Sequence, residues 1–176
     1  AVGYLRSSEI LMGPFLVLLM GLSQVAVPEA SRALAAGTLR LRAFCLRLGT
    51  VQAGLALLWG TVLLTIFPLG PGQALLGNVW GPTSHLIAPI TLTVCAASFN
   101  TAGNAGLRAL GIARRSLRAQ LVTASLYASL GSLGAVLAGA AGTSWGVTAA
   151  QSIGAAVCWH QLRSGLAEHE RSVTST

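Results

Sequence analysis

The sequence predicts an all-α, polytopic membrane protein with five transmembrane helices, most of a six-helix bundle. Three observations predict it. Hydrophobic residues make up 53% of the chain and charged residues 9%, where soluble domains carry about a quarter charged residues. Apolar runs long enough to cross a bilayer recur along the chain. The cationic side chains, all arginine apart from three histidines, fall in alternate connections between those runs. Arg32, Arg40, Arg42 and Arg47 share one connection, Arg108, Arg114, Arg115 and Arg118 another, and Arg163 and Arg171 the tail. The connections between them, 68–84 and 139–144, carry no charge. Arginine retained on one side of a membrane produces that alternation.

The first span is expected over about 8–28. Ile10 to Pro28 is uncharged, and a helix of that length reaches roughly 28 Å at about 1.5 Å per residue, close to a hydrocarbon core of about 30 Å. Pro14 falls early in it, and Pro28 is expected to end it. The basic stretch PEASRALAAGTLRLRAFCLR follows as a connection, partly helical along the membrane surface. The second span, about 48–67, ends at Pro68. The Gly/Pro-rich stretch after it holds a short apolar run, Gln73 to Trp80, expected to lie at the interface. The third span covers about 86–107 and is followed by the basic LRALGIARRSLRAQ. The fourth covers about 121–138, and a short Gly/Ala/Ser turn leads to the fifth, about 145–162. Residues 1–165 form the bundle, and 166–176 are expected to fray as a polar cytoplasmic tail. Tyr4, Phe67, Trp80 and Trp145 at one set of ends, with Phe44 and Trp159 at the other, suit interfacial belts. With arginine inside, the N-terminus is outside and the C-terminus cytoplasmic. A start outside the membrane leads us to expect a further helix upstream.

The charge pattern also narrows the function. A net charge of +7 would ordinarily raise nucleic acid as a partner. Here the arginines flank apolar spans without aromatic interleaving, so the lipid bilayer, with its anionic headgroups, is the expected partner and nucleic acid is not. Cys45, Cys95 and Cys158 fit no metal or redox spacing and read as packing residues. His169 lies between Glu168 and Glu170, which reads as a solvated charge cluster more than a metal site. No metal and no cofactor is expected. Gly142-Thr143-Ser144-Trp145-Gly146 matches the nucleophile-elbow pattern by letter, but no strand precedes it and the chain has no Asp. It reads as a turn between helices, and no catalytic set is evident.

Four polar residues are candidates for a cavity. Arg6 lies on the side opposite the other arginines, three residues before Glu9. It either faces a cavity and holds an anion or snorkels at the interface beside Glu9. Asn100 and Asn104 share one helical face, with Ser98 and Thr101 nearby, and either bind a polar substrate or join helices. Gln24, Gln52 and Gln151 admit the same two readings. Gly146, Ala150, Gly154 and Cys158 form a small-residue row that allows close helix packing, within the chain or between copies.

Three passages resemble the C-terminal lobe of polysaccharide or lipid-linked oligosaccharide flippases, in the multidrug/oligosaccharidyl-lipid/polysaccharide exporter superfamily. They are VGYLRSSEILMGPFLVLLMGLSQVAVPEASR from Val2 to Arg32, PGQALLGNVW from Pro71 to Trp80, and AGLRALGIARRSLRAQL from Ala105 to Leu121. Together with helix order the likeness covers about residues 2–165. It implies two six-helix bundles around a central cavity, of which this chain resembles helices eight to twelve, with the N-terminal lobe missing. It implies a lipid-linked oligosaccharide substrate, moved by alternating access across a bacterial inner membrane. It also implies that Arg6 holds a pyrophosphate, while Glu9, where relatives often carry Gln, could neutralise it or couple an ion. A multidrug antiporter lobe of the same superfamily, or a non-transporting scaffold of a polysaccharide assembly system, are the alternatives.

Overall fold

The computed structural model describes the backbone of residues 2–66 and 80–174, with side chains at 13, 17, 20–66 and 84–171. Four helical elements account for nearly all of it: α1 Val2–Ala35, α2 Thr38–Thr65, α3 Trp80–Ala109 and α4 Ala113–Thr174. No strand occurs among the described residues. Three helical stretches are long and apolar enough to cross a membrane: Thr38–Thr65, Ser84–Ala109 and Ala113–Arg171.

α4 runs for 62 residues but is broken once, at Ala138 (φ −143°, ψ 23°) and Gly139 (φ 60°, ψ −135°). The second pair of angles is closed to side chains that carry a Cβ, so a glycine there lets the chain double back. The two arms, 113–137 and 140–174, are called the ascending and returning arms below. They lie antiparallel and almost in backbone contact. A Cβ on Gly134 would strike the Gly142 carbonyl, one on Gly146 the Leu130 carbonyl, and one on Gly154 the Thr123 side chain.

α2 and α3 are also antiparallel. Gly60 packs on Thr91, Gly49 on Phe99 and Ala102, and Cys45 on Gly106. The returning arm runs parallel to α3. Thr148 Oγ1 lies 2.9 Å from the Pro89 carbonyl and 2.8 Å from Thr93 Oγ1. Further along, Trp159 Nε1 donates to the Phe99 carbonyl at 3.0 Å, and the two rings meet edge to face. α3 is therefore the central helix, flanked by α2 and the returning arm. α1 lies against α3 and α2 and barely touches α4.

The main buried cluster collects one end of every element: Ala26 and Ala30, Leu41 and Cys45, Ala105 and Leu107, Ala119, then Cys158, Leu162 and Leu166. The ten arginines from Arg32 onward attach to the helix ends that meet there.

Helix boundaries differ from those expected of hydropathy. α1 continues through Pro28 to Ala35, and only Ala36 and Gly37 separate it from α2. The connection after α3 is as brief. Ile112 N–H bonds the Leu107 carbonyl and Gly111 N–H the Arg108 carbonyl, with Gly111 at φ 72°. This is a glycine-closed helix terminus. The turn expected at 139–144 shrinks to 138–139, so Ser144 is helical and donates to the Ala140 carbonyl at 3.0 Å. The polar tail is helical through Thr174. Its Glu168 pairs with Arg115, and its Glu170 accepts from Thr38 Oγ1 at 2.7 Å. The physical reason is common to all four cases. Ala, Leu and Arg are good helix formers, so backbone hydrogen bonding runs past the point where the side chains turn polar. Trp159, expected at an interface, packs against the main buried cluster instead, as does Phe44. The run Gln73 to Val79 and the aromatic Phe67 lie outside the described residues.

Candidate functional site

Because α1 and the ascending arm diverge, a polar groove opens along α3. Its first part is a cleft of about 390 Å³ bounded by Ser23, Gln24 and Val27 of α1, by Thr101, Asn104 and Arg108 of α3, and by Gln120. Its second part, of about 340 Å³, lies between α3 and the two arms of α4 and is lined by Asn100, Gln120, Thr123, Tyr127 and Gln151 among others. Gln120 borders both.

The two asparagines take different parts in this groove. Asn104 Nδ2 donates to Asn100 Oδ1 at 2.9 Å and lies 3.0 Å from the Asn100 carbonyl. Its Oδ1 accepts from Ser116 Oγ at 2.9 Å. The Asn104 amide is thus engaged at both ends and joins α3 to the ascending arm. Asn100 Oδ1 is engaged as well, but its Nδ2 has no hydrogen-bond partner and borders the second cleft. Gln151 Oε1 is buried there without a partner. One open donor, one open acceptor and the half-exposed ring of Tyr127 therefore line the same space. A buried polar atom left unpaired costs about 1–3 kcal/mol, so these atoms favour a ligand that carries both donors and acceptors. A hydroxylated ring has that chemistry and can lie flat on an aromatic face.

Arg108 stands exposed on the rim of the first cleft, and no carboxylate pairs with it among the described residues. It offers a fixed positive charge where the groove reaches the arginine-rich end.

The remaining sequence candidates are placed elsewhere. Arg6 and Glu9 belong to α1, but their side chains lie outside the described residues. Gly146 and Gly154 face the ascending arm, and Ala150 is fully buried. Cys158 turns toward α3, with Sγ 3.7 Å from the Asn100 carbonyl. Gln52 is 1% exposed on α2, outside the groove, and neither amide atom has a partner. Glu168 and Glu170 turn to different helices, away from a shared centre with His169. No group of three or more metal-ligating side chains occurs among the described residues.

Sequence reading missed Gln120, Tyr127, Ser116 and Arg108. The signal for two of them was present. Gln120, Ala124, Tyr127 and Ala128 recur at helical spacing, a small and polar face on an otherwise apolar helix. Arg108 was counted with the topological arginines and carried no separate signal.

Comparison with known protein families, with characterised proteins and with solved structures finds no match to this chain.

Proposed function

We propose that this chain is one lobe of a membrane transporter that flips a lipid-linked oligosaccharide, or exports a polysaccharide precursor, by alternating access. The observation that carries the reading is the groove along α3, with open amide groups of Asn100 and Gln151 beside Tyr127. Polar side chains at membrane depth are costly and face a cavity or a partner. A sugar headgroup would satisfy both amides, and its anionic linker would meet Arg108 at the rim or Arg6 on α1.

In this reading α1, α2, α3 and the two arms of α4 cross the bilayer as five spans. The arginine-rich end faces the cytoplasm of a bacterial inner membrane, and the N-terminus lies outside, as retention of arginine requires. A second lobe would cover the open side of the groove.

Export of surface polysaccharide in cells tests the proposal. Asn100→Ala and Gln151→Leu should each lower export while leaving protein level unchanged, and Arg6→Ala should do the same if it holds the anionic linker. Normal export from the Asn100→Ala, Gln151→Leu double variant would sink the transport site and favour a scaffold.

A further inference from the structure

A separate cleft lies at the arginine-rich end, on the far side of the bundle from the groove. It occupies about 370 Å³ between the start of α2 and the end of the returning arm. Arg42 and Arg163 both line it, together with Leu39, Leu166 and Glu170. Arg32 and Arg115 have carboxylate partners, whereas Arg42 and Arg163 have neither an ion pair nor a hydrogen bond among the described residues. Glu170, the acid of this lining, accepts from Thr38 Oγ1. Two guanidinium groups therefore stand against one carboxylate, and the cleft is net positive.

The start of α2 adds to this field. Gly37 offers no side-chain cap, so the first amides of the helix are open beside the cleft, and such amides favour an anion. The fourth feature is apolar. Leu39 is 75% exposed on the rim, one residue from the α2 amides and three from Arg42. A soluble anion has no use for that leucine, whereas an amphiphile covers it with its glycerol and upper acyl chain.

We infer that this cleft is a specific site for the phosphate headgroup of an anionic phospholipid. Arg42 and Arg163 would clamp the phosphate, for which a planar guanidinium is better suited than a point charge, and Leu39 would lie against the chains. This goes beyond the general attraction of arginines to an anionic leaflet, which needs no cleft and no pairing.

The test is native mass spectrometry of the full chain, released from nanodiscs that contain phosphatidylglycerol and phosphatidylcholine. The expected result is one retained phosphatidylglycerol. The Arg42→Gln/Arg163→Gln variant should retain it about 25-fold less, from about fivefold per arginine at a membrane surface. A charge-matched control, Arg114→Gln/Arg118→Gln, removes two exposed arginines outside this cleft and should keep the lipid. Arg42→Lys/Arg163→Lys keeps the charge without the planar fork and should fall between them. Equal loss in the control would overturn the site in favour of a diffuse field. Displacement of the lipid by millimolar inorganic phosphate would overturn the lipid assignment in favour of a soluble anion. Circular dichroism of each variant checks that the helices remain. None of these residues lines the groove along α3, so failure here leaves the transport reading standing.

Discussion

Ser116 Oγ donates to Asn104 Oδ1 at 2.9 Å, and that bond ties the ascending arm of α4 to α3. It lies twelve residues apart in sequence, across the glycine-closed turn at Gly111. The Asn104 amide is held at its other end by Asn100. Removing either partner should loosen the wall of the groove before it alters the groove's chemistry.

Asn104→Ala and Ser116→Ala should each destabilise the bundle by about 1 kcal/mol, with a coupling of about 0.6–1.7 kcal/mol in a double-mutant cycle, the range found for interhelical bonds in membranes. Asn100→Ala should cost less stability and more transport, because its open Nδ2 faces the cleft. Thermal unfolding in detergent, set beside export in cells, separates the two effects. Additive losses at Asn104 and Ser116 would contradict the bond.

Glycines on α2 and α4 should respond in opposite ways to alanine. Gly146→Ala places a methyl against the Leu130 carbonyl, so the arms must part, and a loss of at least about 2 kcal/mol is expected from overpacking. Gly54→Ala meets nothing within 4 Å and should stabilise α2 by about 0.5–1 kcal/mol through helix propensity. Melting temperatures of the two variants decide the matter. Similar shifts would contradict the close packing of the arms.

Gln52→Met should stabilise the protein. The wild-type amide is buried with no partner, and a side chain of similar shape without the polar atoms removes a penalty of about 1–3 kcal/mol. A lower melting temperature would show that Gln52 has a partner in the membrane, such as a bound water or a second lobe.

Topology is open to chemical labelling. In a background with Cys45, Cys95 and Cys158 replaced, a single cysteine at Leu137, beside the break in α4, should react with an impermeant thiol reagent on intact cells. A cysteine at Arg114 or Arg171 should react only after permeabilisation. Reaction of all three from one side would refute the five-span arrangement.

Much of this arrangement was legible in the residues. The apolar runs located each helix, and the small-residue row Gly146, Ala150 and Gly154 marked a close helix contact. Helix ends were less legible, because hydropathy reports where side chains leave an apolar layer and not where backbone hydrogen bonds stop. Pro28 illustrates the difference. It reads as a terminus, yet α1 carries it as an interior residue and runs on to Ala35. The groove was half legible. Asn100 and Asn104 stood out as paired amides on one face, but nothing local showed that Ser116 would take up one of them. Gln120 and Tyr127 became site residues only because the ascending arm diverges from α1, and that angle is a property of tertiary packing.

The buried cluster at the arginine-rich end also dictates an order of assembly. Three of its ten members, Cys158, Leu162 and Leu166, come from the returning arm. During synthesis α1, α2 and α3 emerge first, with Leu41 and Leu107 uncovered until those last side chains arrive. The two-residue break at Ala138 and Gly139 leaves the arms no slack, so they must enter the bundle together. Biogenesis of this chain is therefore completed late and in a single step, and any stall before residue 158 would leave an intermediate that membrane quality control can recognise.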